Sequence, residues 1–118
     1  MADYVGKEDA VVVRQLRAEG AIPIVKGNVP QLMLALSSHN EVYGLAKNPW
    51  DQGRASGGSS GGDGGLVGAR CVPFSIGTDI GGSIRCPAVF NGIYGFKPSA
   101  MRISYKNCIA PLEDGSAP

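Results

Sequence analysis

The chain has 118 residues and a formal net charge of +1, with 43% hydrophobic and 18% charged residues. That length fits one domain with one core, and the balance of apolar and charged residues excludes a disordered chain. The near-neutral charge excludes the basic footprint of a nucleic-acid binder.

Glycine is the outlier at 18 residues, about twice the usual share of roughly 7%. Much of the excess lies between Gly53 and Gly95. Cys71, Cys86 and Cys108 are odd in number and lack C-x-x-C spacing. That pattern argues against a disulfide framework or a zinc site, so no metal is expected. It favours a reducing compartment, on the cytoplasmic side, with each thiol serving as a small core residue. No apolar run approaches the roughly 18 residues of a membrane span, and no signal peptide opens the chain. Membrane association and oligomeric state carry no signature.

In chain order, Val12, Val13 and Leu16 have helical spacing within Ala10 to Glu19, and Gly20 ends the helix. Ala21 to Val25 is an apolar run fit for a buried strand. Asn28 reads as an N-cap, with Pro30 in the first turn of a helix through Leu36. Ser37 to Gly58 reads mostly as loop, with a turn at Asn48-Pro49-Trp50. Asp63 to Ala69 can form a helix of small residues whose N-terminus faces the serines before it. Val72 to Gly77 reads as a strand, Ser83 to Phe90 as a helix, and Ile93 to Phe96 as a further strand. Strands alternating with helices indicate an α/β fold, a mixed and mainly parallel sheet flanked by helices.

Two serines each follow a glycine pair: Ser59 behind Gly57-Gly58, and Ser83 behind Gly81-Gly82. In Gly77-Thr78-Asp79-Ile80-Gly81-Gly82-Ser83, glycines let the backbone approach a ligand closely. Successive N–H groups from Ile80 to Ser83 could then share one concavity, an oxyanion hole beside a nucleophilic hydroxyl. The alternative is a structural turn that contains a serine. A serine also needs a base, and His39 is the single histidine. A Ser-His-Asp triad would have to use it. Gly57 to Gly61 matches Gly-x-Ser-x-Gly, but that motif requires a strand running into it, and Asn48 to Ala55 is polar and turn-rich. No phosphate-loop pattern occurs.

Gly57-Gly-Ser-Ser-Gly-Gly, Gly77-Thr-Asp-Ile-Gly-Gly-Ser-Ile-Arg, Pro87-Ala and Gly92-Ile-Tyr-Gly-Phe-Lys-Pro-Ser together resemble the amidase signature family. Gly20-Ala-Ile-Pro-Ile-Val-Lys-Gly-Asn and Asn48-Pro-Trp extend the likeness upstream. Asn28-Val-Pro-Gln and Gly62-Asp-Gly-Gly-Leu-Val are closest to the fatty acid amide hydrolase and fungal acetamidase branch. The resemblance implies a Ser-cisSer-Lys triad acting on carboxylic or fatty acid amides. Ser83 would be the nucleophile, and Ser59, after a cis peptide at Gly58, would be the bridge. The N–H groups of Ile80, Gly81, Gly82 and Ser83 would hold the oxyanion. No cofactor is implied, and the partner is a small-molecule amide.

The family's catalytic lysine lies further upstream of the bridging serine than this chain reaches, and Lys26 matches a different lysine of the family. Residues 1–118 therefore read as a partial amidase-signature domain, truncated at both ends, with little turnover expected alone. The rival reading is an inactive fragment or pseudoenzyme that serves at most as a binding module. Asp79 and Arg85 would pair across the oxyanion loop, and Ser60 would support the cluster by hydrogen bonding. Cys86 would line the pocket or the core, and Trp50 and Tyr94 would be packing residues.

Overall fold

The computed structural model describes residues 5–108. The chain divides into a larger compact unit, Val25–Lys97, and a smaller one drawn from the chain on either side of it. The smaller unit holds helix α1, Val11–Ala18. Its apolar residues Val11, Val12, Val13 and Leu16 are half-buried. The larger unit holds the hairpin strands β1, His39–Asn40, and β2, Gly44–Leu45, then α2, Gly61–Gly68, and α3, Arg85–Asn91.

The helices stop for one shared reason. After α1 the Gly20 N–H donates to Arg17 and the Ala21 N–H to Leu16, the paired bonds of a Schellman motif. Gly20 takes the required left-handed turn at φ 90°. α3 ends the same way at Gly92, φ 66°, with Ile93 donating to Ala88. α2 closes with Arg70 at φ 61° in that role, although a non-glycine residue is disfavoured there.

β1 and β2 pair antiparallel, with His39 opposite Leu45 and Asn40 opposite Gly44. Asn40 Oδ1 fixes the turn between them by accepting the Val42 and Tyr43 N–H groups at 3.0 and 2.8 Å. This is the one sheet among the described residues, and it contains no parallel pairing. The expected strands at 21–25, 72–77 and 93–96 are irregular and pair with no strand, and 72–77 begins in a bend. An apolar run supplies the side chains of a strand; the ladder also needs a neighbouring strand, and none of the described residues provides one. Their apolar residues face outward, Ile22 at 82% and Phe96 at 81% exposure.

Two further expectations fail locally. The helix from Asn28 to Leu36 shrinks to one 3-10 turn, Gln31–Met33. Leu32 and Met33 adopt φ of 55° and 59°, which an α-helix does not tolerate. Asn28 does not cap it, because its side-chain amide donates to the Ser38 and Gly44 carbonyls instead. Cys71 and Cys108 are exposed, not core, and Cys86 is half-buried.

α2 is five-eighths glycine, which costs helix propensity at each such position. Close packing explains the composition. A Cβ at Gly64 would sit 2.9 Å from Pro87 of α3, and one at Gly62 would collide with the backbone of Asn28. Gly62 N–H also donates to the Asn28 carbonyl at 2.9 Å, so that backbone cannot retreat without breaking a bond. Gly62→Ala is therefore expected to destabilise the chain by about 1–3 kcal/mol despite the better helix former. Urea unfolding of the two proteins checks this.

Ala88 is the one hydrophobic residue buried in the core among the described residues. The remaining buried positions are largely polar and small, including Ser38, Asn48, Ser56 and Asn91. Asn91 Nδ2 donates at 2.7 Å to both Ser56 and Pro87 carbonyls. Asn48 Nδ2 reaches the Phe90 carbonyl at 2.7 Å. The larger unit is thus held at its centre by side-chain amides that satisfy loop and helix-end carbonyls.

Candidate active site

The two glycine-led serine segments meet. The Ser60 N–H donates to the Ser83 carbonyl at 3.1 Å, which ties the turn before α2 to the turn before α3. Ser59 and Ser60 are 2% and 5% exposed, whereas Ser83 is half-buried. The Gly58–Ser59 peptide is cis. Gly58 is buried, and a Cβ there would lie 2.8 Å from the Ala35 carbonyl, so only glycine fits against segment 35–37.

Ser60 is a brace between the two segments. Its hydroxyl accepts the Thr78 N–H at 3.3 Å and lies 3.5 Å from the Thr78 carbonyl. It thereby holds the start of the loop that runs to Ser83. The Ser59 and Ser83 hydroxyls enter no hydrogen bond among the described residues; Ser59 is engaged through its carbonyl, by Ser38.

Asp79 organises the loop from inside. Its carboxylate is completely buried while the Arg85 side chain is 56% exposed. Arg85 grips it with two prongs, Nη2 to Oδ1 at 2.9 Å and Nε to Oδ2 at 3.1 Å. The same carboxylate accepts the N–H groups of Gly82, Ile84 and Arg85 at 2.7, 3.0 and 3.2 Å. It so caps the first turn of α3 from upstream, satisfying donors that a helix start leaves orphaned. The Arg85 guanidinium, then these backbone N–H groups, hold the Asp79 carboxyl well below the usual carboxylate range against the opposing cost of burial. In turn Asp79 raises the Arg85 pKa.

That capping bears on the four N–H groups expected as oxyanion donors. The Gly82 N–H is spent on Asp79. The N–H groups of Ile80, Gly81 and Ser83 enter no hydrogen bond among the described residues. Ile80 is 99% exposed and Gly81 is exposed, while Gly82 and Ser83 are half-buried.

The other singled-out residues lie elsewhere. His39 sits exposed in β1, its side chain in no hydrogen bond among the described residues. Lys26 is exposed in an irregular segment. Tyr94 is fully exposed and is therefore not a packing residue. Trp50, 66% exposed, uses its indole N–H on the Asn91 carbonyl at 2.9 Å. A groove of about 370 Å³ runs past Ser60, Phe74, Ile84, Pro87 and Ile93. Its lining includes neither Ser59 nor Ser83; it lies between the helices α2 and α3 and the irregular segments 73–77 and 92–95. No group of metal ligands occurs among the described residues, and none of their helices is long and apolar enough to cross a membrane.

Asp63, in the first turn of α2, behaves opposite to Asp79. Burial pushes its carboxyl up, against a 2.6 Å hydrogen bond from Ser75. A raised folded-state pKa means its contribution to stability is complete below the unfolded value of about 3.9 and fades as pH rises through the folded one. Asp63→Asn is therefore expected to gain stability relative to the parent as pH rises from 4 to 7. Paired urea titrations across that range measure the difference.

Sequence reasoning missed Ser38, Ser56 and Asn91, all fully buried. Each is a common polar residue in turn-rich or helical surroundings, and its importance lies in bonds to distant carbonyls that no spacing announces.

The Amidase family model matches residues 1–117. The chain belongs to the amidase family. Relatives bear out the branch read from the glycine–serine strings. This amidase chain is 50% identical over 96 residues to fatty-acid amide hydrolase 1 of Sus scrofa, covering 81% of the chain and 17% of that protein. It is 50% identical over 97 residues to fatty-acid amide hydrolase 2-A of Danio rerio, covering 82% and 18%. A glutamyl-tRNA(Gln) amidotransferase subunit of Sulfolobus acidocaldarius is 43% identical over 110 residues, 93% of the chain and 23% of that protein. The chain thus spans 17–23% of the length of these relatives.

Proposed function

We propose that this chain carries the nucleophile half of an amide-hydrolysing site, acting on carboxylic or fatty acid amides through an acyl-enzyme. Ser83 Oγ attacks the amide carbonyl carbon. Its proton passes to the Ser59 oxygen as the Ser59 proton passes to a neutral lysine amine. The oxyanion is received by the N–H groups of Ile80, Gly81 and Ser83, while the Gly82 N–H keeps the loop on Asp79. Collapse breaks the C–N bond, the departing amine or ammonia takes the proton back through the same relay, and water then cleaves the Ser83 ester.

The observation that carries this reading is the Ser60–Ser83 backbone bond of 3.1 Å. It ties the two glycine-led serine segments together, beside the N–H groups of Ile80, Gly81 and Ser83, which are uncommitted among the described residues. The lysine base is assigned to a segment outside these residues, because Lys26 is exposed and makes no bond to either serine segment. The mainly parallel sheet belongs to the same proposal: segments 21–25, 72–77 and 93–96 would be completed by strands from the rest of an amidase. The relatives' names have the amide in common, which supports the substrate class.

Treatment with a fluorophosphonate probe tests the reading. Mass spectrometry should find the adduct on Ser83, abolished by Ser83→Ala and unchanged by His39→Ala. A folded chain that gains no adduct would instead be the inactive binding module.

A further inference from the structure

We propose that Ser38 is a positioning residue for Ser59, an inference that rests on the reading of Ser59 as the bridging hydroxyl. Ser38 is 0% exposed, and every polar group it owns is committed. Its hydroxyl donates to the Ser59 carbonyl at 2.9 Å and accepts the Gly61 N–H at 2.8 Å. Its backbone N–H donates to the Gly57 carbonyl at 3.0 Å. Its carbonyl accepts the Ala46 N–H at 2.8 Å and the Asn28 side-chain amide at 3.3 Å. One residue therefore bonds the backbone at Gly57, Ser59 and Gly61, on both sides of the serine and at the start of α2.

The grip is close as well as complete. A Cβ at Gly61 would lie 2.5 Å from the Ser38 hydroxyl, so Gly61 must be glycine for the hydroxyl to enter between the two groups. Ser38 is itself anchored by the hairpin through Ala46 and by Asn28, and the Asn28 carbonyl also accepts the Gly62 N–H at 2.9 Å. The Ser59 hydroxyl makes no bond of its own among the described residues, so its place is set by the backbone, and Ser38 holds that backbone. Ser56 supplies a matched contrast. It is equally buried, and its hydroxyl shares its single proton between the Gly61 and Ala46 carbonyls at 2.7 and 3.0 Å, but it makes no hydrogen bond to Ser59.

The test measures two things on the full 118-residue chain. The first is the fluorophosphonate labelling rate at Ser83 in the parent, Ser38→Ala, Ser56→Ala, Ser59→Ala and the Ser38→Ala/Ser59→Ala double variant. Misplacing a reacting group by a fraction of an ångström slows chemistry steeply, so Ser38→Ala should label about tenfold more slowly and Ser56→Ala at the parent rate. In the Ser59→Ala background, Ser38→Ala should have no further effect, because its action runs through Ser59. Equal slowing in both backgrounds overturns the proposal.

The second measurement is hydrogen exchange at the Ser60 N–H, the bond to Ser83, and it needs no reactivity. Protection should fall about tenfold in Ser38→Ala and hold in Ser56→Ala. Unchanged protection in Ser38→Ala overturns the proposal. Loss of protection in a chain that never labels leaves Ser38 as the clamp and removes the amidase reading instead. If Ser38→Ala does not fold, Ser38→Cys replaces it. That side chain fills the space with a weaker donor and acceptor, and the same two outcomes decide.

Discussion

Asp79→Asn is expected to disorder the loop from Gly77 to Ser83, lower stability by about 2–3 kcal/mol and abolish labelling of Ser83. The magnitude follows from losing a two-pronged charged hydrogen bond from an arginine; hydrogen bonds to charged groups are worth about 1.5–3 kcal/mol each and do not add. An asparagine keeps one acceptor oxygen, which cannot serve the Arg85 side chain and the Gly82, Ile84 and Arg85 N–H groups together, and its amide would face N–H donors. The backbone from Ile80 to Ser83 then loses its anchor, because Asp79 holds the Gly82, Ile84 and Arg85 N–H groups between and beyond those residues.

The pH dependence gives this prediction its sign. The folded-state pKa of Asp79 is depressed, so its stabilisation is complete above the unfolded value of about 3.9 and is lost as pH falls through the folded value. The stability gap between parent and Asp79→Asn should be constant from pH 5 to 8 and close only in strong acid. A gap that closes near neutrality would mean that another group controls the loop. Arg85→Lys is a useful companion. A lysine keeps the charge but not the planar fork, so it should recover part of the stability and little of the loop geometry.

The local geometry of the candidate site was more legible in the sequence than the fold, and the reason is physical. Glycine pairs, a serine and an Asp-Arg pair act through local backbone conformation and short-range charge, both of which are written in consecutive residues. The helix stop at Gly20 and the helix expected over 63–69, found over 61–68, were legible for the same reason. A sheet is a non-local object. Ala21 to Val25 has the side chains of a strand but obtains its ladder only from a neighbour, which the string of residues cannot specify. The Asn28 error has a related origin. An asparagine before Pro30 matches an N-cap in sequence, yet its amide is claimed by Ser38 and Gly44, ten and more residues away. Ser38 shows the limit most clearly, since its three grips on the serine segment come from residues 19 and more positions distant.

Ser59→Ala should slow labelling of Ser83 by about 10²-fold while leaving the fold intact. Relaying a proton contributes about 10²–10⁴-fold, and the lower end applies because the amine that follows Ser59 in the relay is assigned to a segment outside these residues. Stability is expected to hold because the Ser59 hydroxyl bonds nothing among the described residues; only its carbonyl is used, by Ser38, and alanine keeps it. Ser60→Ala is the opposite case. Its hydroxyl accepts the Thr78 N–H, so its loss should lower stability by about 1 kcal/mol and slow labelling only through a looser loop. Labelling rates and urea midpoints for both variants separate a serine that does chemistry from one that holds it in place. If Ser59→Ala and Ser60→Ala lose stability equally and label alike, Ser59 is a packing residue and the proton relay must be assigned elsewhere.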